Sequence, residues 1–166
     1  MVIGILAAIT LVAYNGLQDR ANDSARTSAV SQIRKALEAY RAVHGNYPPH
    51  TSAGANVPAG FVGTWGSIYS FSVATDDSWL RTLVQSGFLD KAPKDPINDN
   101  SHYFVYFSSN SIGACNEPLY VLAVVGYSSA ANMPPDSRTL TCTGNGITAH
   151  WAANPTRAVF SNLRTP

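Results

Sequence analysis

The sequence predicts an α+β fold: a long N-terminal helix, then a short helix and an antiparallel sheet of about four strands. Three observations predict it. A helical pattern runs unbroken from Met1 to His44 and stops at Gly45-Asn46-Tyr47-Pro48. A short apolar segment around Trp79 carries its own start and stop signals, and the rest of the chain breaks into short β-rich runs separated by turn residues. The 166 residues, 45% hydrophobic and 13% charged, suit one ordinary domain with an appendage. Eleven basic against ten acidic side chains give a formal charge of +1, so no electrostatic footprint of a nucleic-acid binder is present and no nucleic-acid partner is expected. An aromatic content of 10% supplies enough apolar surface to offset chain entropy, which excludes wholesale disorder.

The first helix has two halves. Residues 1–18 carry no charged side chain, and Gly4, Ile5, Leu6, Ala7, Ala8, Ile9 and Leu11 form an apolar run. A bilayer needs about 20 apolar residues in a helix, so the run is too short to cross alone and is expected to be the remainder of a longer segment. It passes straight into more helix, unlike a signal peptide with its small-residue cleavage site. Beyond Gln18, the residues Ala21, Ala25, Ala29, Ile33, Leu37, Tyr40 and Tyr47 recur at spacings of three, four or seven, which predicts one buried stripe. Asp19, Arg20, Asp23, Arg26, Arg34, Lys35, Glu38 and Arg41 are assigned to the opposite, exposed side. A helix over 44 residues would be roughly 66 Å long, too long for a domain of this size, so half of it must project. Residues 1–18 are read as the projecting half and 19–166 as a globular head that includes the amphipathic half, 19–45.

Past the helix, residues 50–60 read as an exposed loop and 61–74 as a loop containing a short strand. Asp76-Asp77-Ser78 can cap a short helix through Trp79, Leu80, Leu83 and Val84, ended by Gly87. Strands are predicted over 102–108 and 119–127, the second central and covered on one face by the long helix. Further strands are predicted over 138–143 and 147–151, joined by the hairpin signal Gly144-Asn145-Gly146.

Cys115 and Cys142 have neither Cys-x-x-Cys nor metal-finger spacing, and their simplest reading is a disulfide, which favours an oxidising compartment. Closing a loop of about 28 residues stabilises by about 3.6 kcal/mol in the chain-entropy model. Four dispersed histidines, with no nucleophile elbow, zinc-protease motif or phosphate loop, give no reason to expect an enzyme or a cofactor. Asp90, Asp95 and Asp99, with Asn98 and Asn100, could gather oxygen ligands for calcium, but a turn rich in Asx residues is the preferred reading. Asn22-Asp23-Ser24 is a formal glycosylation sequon placed mid-helix, read as chance.

Ile3-Gly4-Ile5-Leu6-Ala7-Ala8-Ile9, Tyr14, the polar switch at Gln18 to Arg20 and the exit Gly45-Asn46-Tyr47-Pro48 closely resemble type IV pilins and the pseudopilins of type II secretion. The resemblance is strong over residues 1–50 and weaker over 79–125, where Pro93-Lys94-Asp95-Pro96 leads into the sheet. Two departures stand out. Mature pilins begin about ten residues upstream of the position matching Met1, with a glutamate that maps onto no residue here, so a truncated start is expected. The proline frequent in the first pilin helix is also missing, with Gly4, Asn15 and Gly16 as the weak points in its place.

The resemblance implies a structural subunit of an extracellular, cell-surface filament. It would wait in the inner membrane, be processed by a prepilin peptidase, and be assembled by pilus machinery into a homo-oligomeric helical fibre. Gly4, Ile5, Leu6, Ala7, Ala8, Ile9 and Leu11 would form its core, with the small residues permitting close helix approach. Two other readings follow from the same family: a pseudopilin of a short periplasmic piston, which a calcium at residues 90–99 would favour, or a minor tip pilin binding DNA or a surface ligand. The last would need a patch such as Trp65, Tyr69, Trp151 and Arg157. Arg20, Arg26, Arg34, Lys35 and Arg41 are expected to face Asp19, Asp23 and Glu38 of other subunits and set their register.

Overall fold

The computed structural model describes residues 2–51, 69–74, 76–110, 117–137 and 156–162, with side chains from residue 14 onward except that of residue 77. Helix α1 spans Val2–His44, about 65 Å at 1.5 Å per residue. It ends where glycine permits a left-handed residue: Gly45 has φ 78° and donates its N–H to the Arg41 carbonyl at 2.8 Å. The chain then turns into the head. Tyr47 and Pro48 are buried, and the Pro48 carbonyl accepts from the Tyr106 hydroxyl at 2.7 Å and from Ser108 Oγ at 2.8 Å. The Gly-Asn-Tyr-Pro exit therefore ends the helix and also ties it to the sheet.

Strand β1, Ser70–Phe71, is the short strand expected within 61–74. A 3-10 turn, Asp77–Leu80, leads into helix α2, Arg81–Gln85. The Asp76 carboxylate accepts from the Ser78 N–H at 3.0 Å, as a cap should, and Gly87, at φ 74°, closes the segment. Strands β2, Tyr103–Ser109, and β3, Leu119–Val125, pair antiparallel from Tyr103 opposite Val125 to Ser109 opposite Leu119. Strand β4, Arg157–Ser161, adds to the far side of β3, giving the antiparallel order β1-β2-β3-β4.

The alternation of the strands divides the core in two. Phe104, Tyr106, Tyr120, Leu122, Val124, Ala158 and Phe160 meet Val30, Ile33, Ala36 and Leu37 of α1, with Trp79 and Leu83 filling the edge. Tyr103, Val105, Phe107, Leu119, Val121, Ala123 and Val159 make a second buried cluster with Tyr69 and Phe71, in which no helical residue among those described takes part. The long helix covers one face of the central strand, as expected, and the other face is buried as well, which is why Leu119–Val125 reads as a continuous apolar run.

Two expectations are corrected. The buried stripe of α1 is Asp23, Arg26, Val30, Ile33 and Leu37, whereas Ala21 and Ala25 are exposed. A spacing of four residues advances about 400° on a helix, so each step from Ile33 back through Ala29 and Ala25 drifts about 40° off the face. The mixed spacing of three and four holds direction, and it carries two charged residues inward. The fourth strand of the sheet is Arg157–Ser161, a segment not predicted as a strand. The strands and hairpin predicted over 138–151 lie outside the described residues.

Candidate functional site

The part of the chain that distinguishes this fold is the root of α1, where the helix leaves the head. From Tyr14 to Ala21 every side chain is exposed, Tyr14 at 65% and Leu17 at 66%, and packing begins at Asn22 and Asp23. Gly4, Ile5, Leu6, Ala7, Ala8, Ile9 and Leu11 all lie on the α1 backbone, and their side chains are outside the description. No described helix is long and apolar enough to cross a membrane.

A buried ion cluster anchors the root. Arg26 forks onto Asp95, Nε to Oδ2 at 2.7 Å and Nη2 to Oδ1 at 3.0 Å, and its Nη1 reaches Asp23 Oδ1 at 2.8 Å. The three side chains are only 2%, 0% and 4% exposed, for Arg26, Asp95 and Asp23 in that order, so the pairing is made away from water. One guanidinium faces two carboxylates, and hydrogen bonds balance the excess charge. Asp23 accepts from the Ser128 N–H and hydroxyl and from Asn132 Nδ2, while Asp95 Oδ1 accepts from the Ile97 and Asn98 N–H groups. Burial pushes the Asp23 carboxyl up, but the bonds from Ser128, Asn132 and Arg26 outweigh it and hold the group below its ordinary value. Burial likewise works against the Arg26 charge, and Asp95 and Asp23 more than restore it. The cluster joins α1 to the loop before β2 and to the loop after β3.

Two further anchors follow up the helix. Arg34 pairs with Asp136 and lies over the Phe160 ring, 5.5 Å from its centroid. Arg41 donates to the Tyr47 hydroxyl at 3.0 Å, which donates in turn to Glu38 at 2.9 Å. Burial, first of all, raises the Tyr47 phenol well above its ordinary range, so it stays a donor. Asp23, Arg26, Arg34, Glu38 and Arg41, all assigned to contacts with other subunits, therefore have partners within their own head. A charged side chain at the right helical phase enters the core when a partner awaits it, and Asp95 is 69 residues away in sequence.

The Asx-rich loop does not form a ligand set. Asp95 is taken up by Arg26, Asp99 Oδ1 accepts from the Ser101 N–H at 2.8 Å and holds His102 Nδ1 at 2.8 Å, and Asp90 is exposed. Asn98, at φ 54°, accepts from Ser72 Oγ, and Asn100 is exposed. Among the described residues no group of three or more His, Cys, Asp or Glu is placed to hold a metal ion. Of the aromatic patch, Tyr69 is buried in the second core cluster, just before β1, and Arg157 is half-buried, while Trp65 and Trp151 lie outside the described residues. Cys115 and Cys142, and with them the predicted disulfide, also lie outside.

A long N-terminal helix laid on an open four-stranded antiparallel sheet is a pilin-like shape. No family model, curated protein or solved structure matches the chain. Sequence reasoning missed the pairing of Arg26 with Asp95. Its signal was present: Asp23, Arg26 and Val30 extend the Ile33 and Leu37 stripe at spacings of three and four, while Asp95 sits between prolines that pin its turn.

Proposed function

We propose that the chain is the structural subunit of an extracellular type IV pilus-like filament, which works by assembly and not by catalysis. The observation that carries this reading is the division of α1. Its C-terminal half is fixed to the head by an apolar face and three charged anchors, while Tyr14 to Ala21 leave the head with every side chain exposed. An uncharged run on an exposed helix needs a partner that removes it from water, and bundling with the helices of other copies does so at about 25 cal/mol per Å² of apolar surface buried. The apolar run over residues 1–18 and the Gly-Asn-Tyr-Pro exit support the same assignment through their likeness to pilins. Before assembly the same helix would hold the subunit at the inner membrane.

Electron microscopy of filaments sheared from the producing cells, with mass spectrometry of their subunit, tests the proposal. Abundant thin fibres built of this chain are expected. Fibres that lack it, with only traces of the chain in the cell envelope, would overturn the proposal in favour of a secretion pseudopilin or a minor pilin.

A further inference from the structure

The charges of α1 divide into those engaged inside the head and those left over. Arg26 and Asp23 close the buried cluster, Arg34 meets Asp136, and Arg41 and Glu38 share the Tyr47 hydroxyl. Asp19, Arg20 and Lys35 remain, all exposed and with no ion pair among the described residues. Their directions differ. At about 100° per residue, Lys35 stands about 200° round the helix from Ile33, which is buried against the sheet, so it projects from the back of the helix. Along the same direction Ser24, Ser28, Ser31 and Ala42 are exposed and small. The exposed Gln32 and Glu38 flank Lys35 about 60° to either side, and the large exposed Leu17 comes next only about five turns toward the N terminus.

Asp19 lies about 40° from the Ile33 direction, on the front, where it lines a cavity of about 430 Å³ with Asn22, Ile97, His102 and Ser128. The cavity suits a cation. Its charged lining is Asp19 and Arg26, and Arg26 is already matched by two carboxylates. The His102 ring in the lining is itself held by Asp99, Nδ1 to Oδ1 at 2.8 Å. Ile97, 46% exposed, offers an apolar wall along which a lysine stem can lie while its ammonium reaches the carboxylate.

Resting on the filament reading above, we infer that Lys35 of one copy enters the cavity at the helix root of a second copy and pairs with its Asp19. A contact from back to front is heterologous: it leaves the same two surfaces open at either end and so continues into a polymer instead of closing a dimer. Sixteen residues separate Asp19 and Lys35, so the two parallel helices are staggered by about 24 Å. Arg20, adjacent to Asp19, would give almost no stagger and set two heads level with each other.

Zero-length carbodiimide cross-linking of sheared filaments, followed by peptide mapping, tests the pairing. An amide between Lys35 and Asp19 can only join two copies, because about 24 Å separates these residues along one helix. That amide is expected. Lys35→Glu and Asp19→Lys should each lower filament yield about fivefold or more, and the combined exchange should restore it. Filaments of this chain in which Lys35 joins a carboxylate of another copy other than Asp19, or whose yield neither reversal changes, would overturn the pairing and leave the filament reading standing. A chain that gives neither filaments nor an inter-chain amide would overturn both.

Discussion

Replacing Arg26 by methionine keeps most of the side-chain volume and removes the only cation of the buried cluster. Asp95 then loses both of its side-chain hydrogen bonds, at 2.7 and 3.0 Å, and keeps only the Ile97 and Asn98 N–H groups. Asp23 is better protected, since Ser128 and Asn132 still donate to it. Breaking a buried pair by removing one partner costs about 3–5 kcal/mol, because the surviving charge stays buried without compensation. The cost here should therefore come mainly from Asp95. In urea unfolding of the whole chain in mild detergent, Arg26→Met should lower stability by that amount, with a fall in melting temperature of roughly 10 °C. Adding Asp95→Asn removes the stranded charge but keeps an oxygen for the Ile97 and Asn98 N–H groups, and should recover about half of the loss. A change below about 1 kcal/mol for Arg26→Met, or no recovery in the double variant, would refute the view that this cluster fixes the helix to the head.

Two further outcomes are expected. Because the Asp23 pKa is depressed in the folded chain, its contribution is present above the ordinary value of 3.8 and is lost as pH falls through the lower folded value. Stability measured from pH 5 downward should fall below about 3.8, and less steeply in Asp23→Asn. Gly126 has φ 106°, and a Cβ there would stand 2.4 Å from His102 Cδ2 and 2.9 Å from the Ser101 carbonyl. Gly126→Ala should cost about 2 kcal/mol or more in thermal unfolding and displace the His102 ring, visible as a shifted imidazole resonance.

Residues 2–44, with Gly45 as their stop, the cap at Asp76 and the strands over 103–109 and 119–125 were legible in the sequence. In each case the signal is local: an uninterrupted helical pattern, a glycine where the backbone turns left-handed, an apolar run bounded by turn residues. The fourth strand was not. Arg157–Ser161 offers three apolar residues between two polar ones, a pattern common in loops, and becomes a strand because β3 presents an open edge opposite it.

The candidate site follows the same division. The sequence by itself determined that an uncharged helix start, Gly4 to Leu11, precedes an amphipathic half carrying both signs of charge. Only the tertiary structure decided which of those charges are engaged. Arg26 looks solvated until Asp95 and Asp23 are placed beside it, and Asp95 looks like part of a solvated Asx-rich turn until Arg26 fills its oxygens. The physical reason is that helical periodicity arises from backbone geometry within a few residues, whereas burying a charge requires a partner brought close by the fold. The same assignment of partners leaves Asp19 on the front of the helix and Lys35 on its back, both exposed and without an ion pair among the described residues.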